Sequence, residues 1–110
     1  MGILGNLLGC MSDRDADIPT LVKGGALLID VRTAGEYEYD GHIEGARLMP
    51  LSVLPVRLQE IPRDRTVVCV CRSGARSYTA CELLQKQGFE NVINLNGGMM
   101  GWKRARLPHK

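Results

Sequence analysis

Residues Thr66 to Cys71, Thr-Val-Val-Cys-Val-Cys, are β-branched or small and carry no charge. With Leu27-Leu28-Ile29-Asp30-Val31, a second short apolar run, this pattern marks strands covered on both faces. Behind Cys71 comes a tight turn and then a helical pattern over Ser77 to Gln87. There Ala80, Leu83, Leu84 and Gln87 mark one face and Gly88 sits at the C-terminal stop. Ala46 to Met49, stopped by Pro50, and Val92 to Leu95 read as further short strands. Glu36 to Asp40 reads as a brief polar helix or turn closed by Gly41. Leu51, Leu54 and Leu58 give a helical stripe ending near Pro62, and a helical turn is expected around Trp102. Strands separated by helices favour an α/β domain with a parallel sheet and helices on both sides. Such sheets place their sites in loops at the carboxyl ends of the strands.

The 110 residues fit one domain, which buries enough surface to fold without metal or disulfide staples. Hydrophobic residues at 45% and charged residues at 24% exclude a disordered or collagen-like chain. A net charge of +2 is too balanced for nucleic acid or a membrane to be the main partner. The four cysteines, Cys10, Cys69, Cys71 and Cys81, form no secreted framework, and no pair has Cys-x-x-Cys spacing. With only His42 and His109 beside them, no metal site is expected. A cytoplasmic protein is the expectation.

Residues 1–16 are expected to form a loosely attached N-terminal segment and residues 17–110 the domain. Ile3, Leu4, Leu7 and Leu8 can share a helical face, but the segment is far short of the ~20 apolar residues of a membrane span. No Lys or Arg precedes the apolar run, as a secretory signal requires. Leu7-Leu8-Gly9-Cys10 imitates a lipoprotein cleavage site behind an unusually short leader. Position 6 is not the Ser or Thr that myristoylation of Gly2 favours, and Met11 is an alternative start.

The chemistry is concentrated in Cys71-Arg72-Ser73-Gly74-Ala75-Arg76, between the strongest strand and the strongest helix. A cysteine at a strand end, facing a helix N-terminus, meets backbone N–H groups that have no intrahelical partner. Those groups stabilise an anionic sulfur, so the thiol should ionise below its free value of about 8.5 and act as a nucleophile. Gly74 permits a turn that a side chain would obstruct. Arg72 and Arg76 add fork-shaped donors for an oxyanion. Ser77, opening the helix, can cap its N–H groups or hydrogen-bond the thiolate.

Four segments, in order, resemble a single-domain rhodanese over about Asp17 to Leu107. Leu28-Ile29-Asp30-Val31-Arg32 is similar to the family's opening strand and its Asp-x-Arg. Glu36 followed by Gly41-His42-Ile43-Glu44-Gly45-Ala46 resembles its Gly-His-Ile-x-Gly-Ala segment. Cys71 to Arg76 matches its six-residue active-site loop, and Gly97-Gly98-Met99-Met100-Gly101-Trp102 its closing Gly-Gly-x-x-x-Trp. The resemblance implies a three-layer fold with a mostly parallel five-stranded sheet. It also implies sulfur transfer: the loop cysteine takes the outer sulfur of thiosulfate, releases sulfite, holds a persulfide and yields it to cyanide, a thiol or a protein. Arg72 and Arg76 would then orient the sulfonate, and neither metal nor organic cofactor is required.

Asp30 and Arg32 can shape the substrate entrance, but an ion pair bracing the loops is the simpler reading. His42 reads as structural and Trp102 as a packing anchor. Cys69 points to the same face as Cys71, and it and Cys81 read as core residues. The basic Lys103, Arg104, Arg106 and Lys110 suit a solvated face or an acidic sulfur acceptor. Three rival functions remain. A phosphatase or arsenate reductase of the same fold would need Arg where Ser77 stands. A non-catalytic binding module would commonly lack the cysteine. A persulfide carrier fed by another protein uses the same residues as the enzyme.

Overall fold

The central strand of the sheet is Val67–Val70, all four residues buried: a neighbouring strand pairs with each edge of its backbone, and helices cover its two faces. The computed structural model describes residues 11–12 and 17–110. Its elements are β1 (Met11–Ser12), α1 (Ile18–Lys23), β2 (Leu27–Asp30), α2 (Ala34–Tyr39), β3 (Arg47–Leu48), β4 (Val67–Val70), α3 (Ala75–Lys86), β5 (Val92–Asn94) and α4 (Gly98–Arg104). The expectations placed on residues 1–10, including Cys10, lie outside the described residues.

The strand order is β1-β5-β4-β2-β3, and every neighbouring pair is parallel. Residues 17–110 supply four parallel strands, not the expected five. The remaining edge position is taken by the two residues of β1, which pair Met11 with Ile93 and Ser12 with Asn94. The N-terminal segment thus contributes backbone to the sheet.

Alternation along the strands divides the core in two. Leu27, Ile29, Val67, Cys69 and Cys71 face Ala80, Cys81 and Leu84 of α3. Leu28, Val68, Val70 and Ile93 face the other way, toward Ile18, Met99 and Trp102 of α1 and α4. Among the described residues no helix is long and apolar enough to cross a membrane.

Local chemistry sets the boundaries. Asp17 caps α1 by accepting from the Thr20 N–H at 3.2 Å. Thr33 and Glu36 form a reciprocal capping box that starts α2 before the expected Glu36. The Leu51–Leu58 stripe is not an α-helix but two 3₁₀ turns, Leu54–Val56 and Leu58–Glu60. Pro55 removes an N–H there and helps to keep the first turn short. The α3 helix begins at Ala75, two residues before Ser77.

Candidate active site

Cys71 lies one residue beyond β4, and the chain must turn sharply there to enter α3. Gly74 makes that turn at φ 104°, where an added Cβ would stand 2.1 Å from the Asn96 carbonyl oxygen. The turn folds the backbone over the sulfur. Sγ accepts the Gly74 N–H at 3.1 Å and the Ser77 N–H at 3.3 Å, and the Ser77 hydroxyl lies 3.3 Å away. The side chain is 1% exposed. Burial pushes the thiol up, but the contacts with Ser77, Gly74 and Ser73 outweigh it and bring Cys71 below the ordinary thiol value.

The loop carbonyls are drawn the opposite way. The Met99 N–H donates to the Cys71 carbonyl at 2.8 Å and the Met100 N–H to the Arg72 carbonyl at 3.1 Å. These are first-turn N–H groups of α4, left over by the helix itself. The helix can approach this closely because Gly98 has no Cβ: one would stand 2.3 Å from the Arg72 carbonyl oxygen, at φ +59°. The Cys71 and Arg72 oxygens therefore point to α4, and the Gly74 and Ser77 N–H groups to the sulfur. The closing Gly-Gly-x-x-x-Trp segment builds the site in this way, while Trp102 is buried and donates its indole N–H to the Pro108 carbonyl at 2.9 Å.

The two arginines differ. Arg76 makes a bidentate pair with Glu36 at 2.7 and 2.8 Å. Hydrogen bonds from Arg76 hold the Glu36 carboxyl at about 2, against the opposing effect of burial. Arg72 is exposed, and its guanidinium has no hydrogen-bond or ion-pair partner among the described residues. It borders a cleft of about 440 Å³ with Tyr39, Met99, Met100 and Lys103. Lys103 donates to the Asp40 carbonyl at the rim.

Asp30 and Arg32 form a buried ion pair at 2.7 Å, and Arg32 also donates to the Gly41 carbonyl at 2.8 Å. This links the end of β2 to the loop after α2. His42 stacks on Tyr37 with centroids 3.7 Å apart and bonds the Tyr37 carbonyl oxygen at 2.8 Å. Cys69 and Cys81 are buried cysteines in the same core cluster as Cys71. Ser73 is exposed, and Ala75 is the first residue of α3. Ser77 is in the first turn and does not cap the helix. Its hydroxyl lies 3.2 Å from the Gly74 carbonyl and 2.5 Å from Asn94 Oδ1.

Asn94 is the site residue that sequence reasoning missed. It ends β5, is 3% exposed, and touches both Ser77 and the Gly74 carbonyl. The available signal was a single amide in an otherwise apolar strand, beside the strand that carries the cysteine.

The profile of the rhodanese-like domain family matches residues 17–105. A protein of Allochromatium vinosum named Sulfurtransferase is 50% identical over 82 residues, 74% of this chain and 76% of its own length. A Bacillus subtilis protein named putative sulfur carrier protein YrkF is 39% identical over 75 residues, 68% of this chain and 40% of its own. The crystal structure of a rhodanese-related protein from Thermoplasma volcanium superposes with a TM-score of 0.80 at 25% identity, covering 93% of this chain and 97% of that one. Together with the strand–loop–helix geometry around Cys71, these matches place the chain in the rhodanese-like domain family.

Proposed function

We propose that the protein is a sulfurtransferase that takes sulfane sulfur from a thiosulfate-like donor and passes it on through a persulfide on Cys71, with residues 17–110 as the catalytic unit. The observation that carries this reading is the convergence of the Gly74 and Ser77 N–H groups on Sγ. Such donors stabilise a charged sulfur before and after transfer.

The Cys71 thiolate attacks the outer sulfur of thiosulfate. The S–S bond of the donor breaks, sulfite leaves with the electron pair, and the negative charge rests on the outer sulfur of the new persulfide. An acceptor then attacks that sulfur: cyanide would leave as thiocyanate and restore the thiolate. Arg72 is the candidate to orient the sulfonate, because its guanidinium is unpaired among the described residues and borders the cleft. Arg76, already occupied by Glu36, serves to hold the loop against α2.

A persulfide carrier fed by a protein partner is the second reading, favoured by the sulfur carrier name of the Bacillus subtilis relative. The deciding measurement is the intact mass of the protein before and after brief incubation with thiosulfate, alongside Cys71→Ser. Gain of one sulfur atom, dependent on Cys71 and removed by cyanide, is the expected result. No gain with an alkylatable Cys71 favours the protein-fed carrier, and an unreactive Cys71 overturns both readings.

A further inference from the structure

The Ser77 hydroxyl has one proton and three acceptors within reach: Cys71 Sγ at 3.3 Å, the Gly74 carbonyl at 3.2 Å and Asn94 Oδ1 at 2.5 Å. A hydroxyl donating to the sulfur would be the largest of the contacts that lower the Cys71 thiol, so the acceptor that receives the proton decides whether Ser77 helps or opposes ionisation. The Gly74 carbonyl already accepts the Tyr78 N–H at 3.1 Å and Asn94 Nδ2 at 3.2 Å, which occupy both its lone pairs. That leaves the sulfur and the amide oxygen.

The orientation of the Asn94 amide is fixed by its other end. Nδ2 donates to the Gly74 carbonyl at 3.2 Å and to the Asn96 side-chain amide at 2.7 Å, and rotating the Asn94 amide would set its oxygen against the Gly74 carbonyl oxygen, which cannot donate. Oδ1 must therefore face Ser77. Were the hydroxyl proton turned to the sulfur, two buried oxygens would stand 2.5 Å apart with no hydrogen between them.

We propose that Asn94 is a positioning residue for the nucleophile: its amide oxygen holds the Ser77 hydroxyl proton away from Cys71, so that the sulfur anion is stabilised by backbone N–H groups and not by the hydroxyl. In the thiol state the S–H donates to Ser77 Oγ and the Ser77 O–H donates to Asn94. On ionisation the S–H proton leaves to solvent and the O–H stays with Asn94. A fully hydrogen-bonded thiolate ionises more readily but attacks more weakly, because nucleophilicity falls with pKa. Asn94 thus keeps the sulfur reactive at the cost of some ionisation.

The inference rests on Cys71 as the nucleophile, but its test titrates the thiol and requires no sulfur transfer, so its failure is distinguishable from failure of the proposed function. The pH dependence of Cys71 alkylation by iodoacetamide, read on the Cys71 peptide by mass spectrometry, is compared among wild type, Ser77→Ala, Asn94→Ala and the double variant. The charges around the site are Asp30 and Arg32 after β2, Glu36 on α2, and Arg72 and Arg76 on the loop and α3, with the Cys69 and Cys81 thiols in the core behind. They are common to all four proteins, as are His42 and His109.

Asn94→Ala is expected to lower the midpoint by roughly one to two units, since a hydroxyl released to an anion forms a charge-assisted bond. Ser77→Ala is expected to leave the midpoint unchanged or lower it by up to about one unit, since the S–H loses its acceptor, and the double variant to match Ser77→Ala. A rise of a unit or more in Ser77→Ala would show that the hydroxyl already donates to the thiolate and would overturn the proposal. An unchanged or raised midpoint in folded Asn94→Ala would do the same. Should Asn94→Ala fail to fold, the Ser77→Ala result alone decides.

Discussion

Arg72 and Arg76 stand in one six-residue loop with the same side chain, but Glu36 has claimed one of them. An anionic donor therefore gains most from Arg72. Arg72→Ala is expected to raise the KM for thiosulfate about 10- to 100-fold, the worth of a charge-assisted contact, with a smaller effect on kcat. Steady-state assays with cyanide as acceptor check this. Arg76 is read out by acid instead. The Glu36 carboxyl is held at about 2 in the fold, below its ordinary value of 4.5, so the pair contributes its full stability above pH 4.5 and loses it as pH falls toward 2. Glu36→Gln should flatten that acid limb by about 1–2 kcal/mol, after allowing for solvent around the partly exposed Arg76, as measured by urea midpoints at pH 6 and pH 3. The sequence could not separate the two arginines, because the partner that distinguishes them is 40 residues away on α2. Cys71, by contrast, was legible: strand end, glycine turn and helix start are all local in sequence. Asn94 was not, since its meaning comes from the adjacency of β5 to β4.

Among the elements, α4 contributes more to the site than its seven residues suggest. Its close approach to the loop depends on Gly98, and Gly98→Ala would drive a Cβ to within 2.3–2.7 Å of the Cys71 and Arg72 backbone. The expected result is a loss of several kcal/mol on the scale of severe overpacking, with Cys71 alkylation slowed, checked by thermal melts and by labelling at neutral pH. The β2 end carries a different dependence. Arg32→Ala leaves the buried Asp30 without its counter-ion, and should cost about 3–5 kcal/mol in a denaturant titration. Strands β2, β4 and β5 were readable because full burial on two faces leaves uninterrupted apolar runs. The stretch 51–60 was misread because its leucines keep helical spacing while Pro55 denies the backbone an N–H, and spacing alone does not record hydrogen bonds. The first turn of α3 was placed late, since Ala75 and Arg76 read as loop until the geometry of Gly74 is known.

For the whole molecule, the all-parallel order puts the carboxyl ends of the strands at one end of the sheet, with Cys71 on the central strand. That much followed from the alternation of apolar runs and helices. The edge did not, because two residues of β1 are too few to make a pattern. They cover β5, whose backbone would otherwise be open to another chain. A chain beginning at Asp17 is expected to keep sulfur transfer within about twofold and to self-associate more at high concentration, as light scattering would detect. The bonds from Met99 and Met100 to the loop carbonyls also have a bearing on synthesis. Met99 follows Cys71 by 28 residues, so both methionines emerge from the ribosome well after the cysteine. Until they arrive, the Cys71 and Arg72 carbonyls lack the N–H donors that turn them toward α4. Cys71 is thus made well before the helix that completes the turn around it, and the cradle closes only when that helix docks.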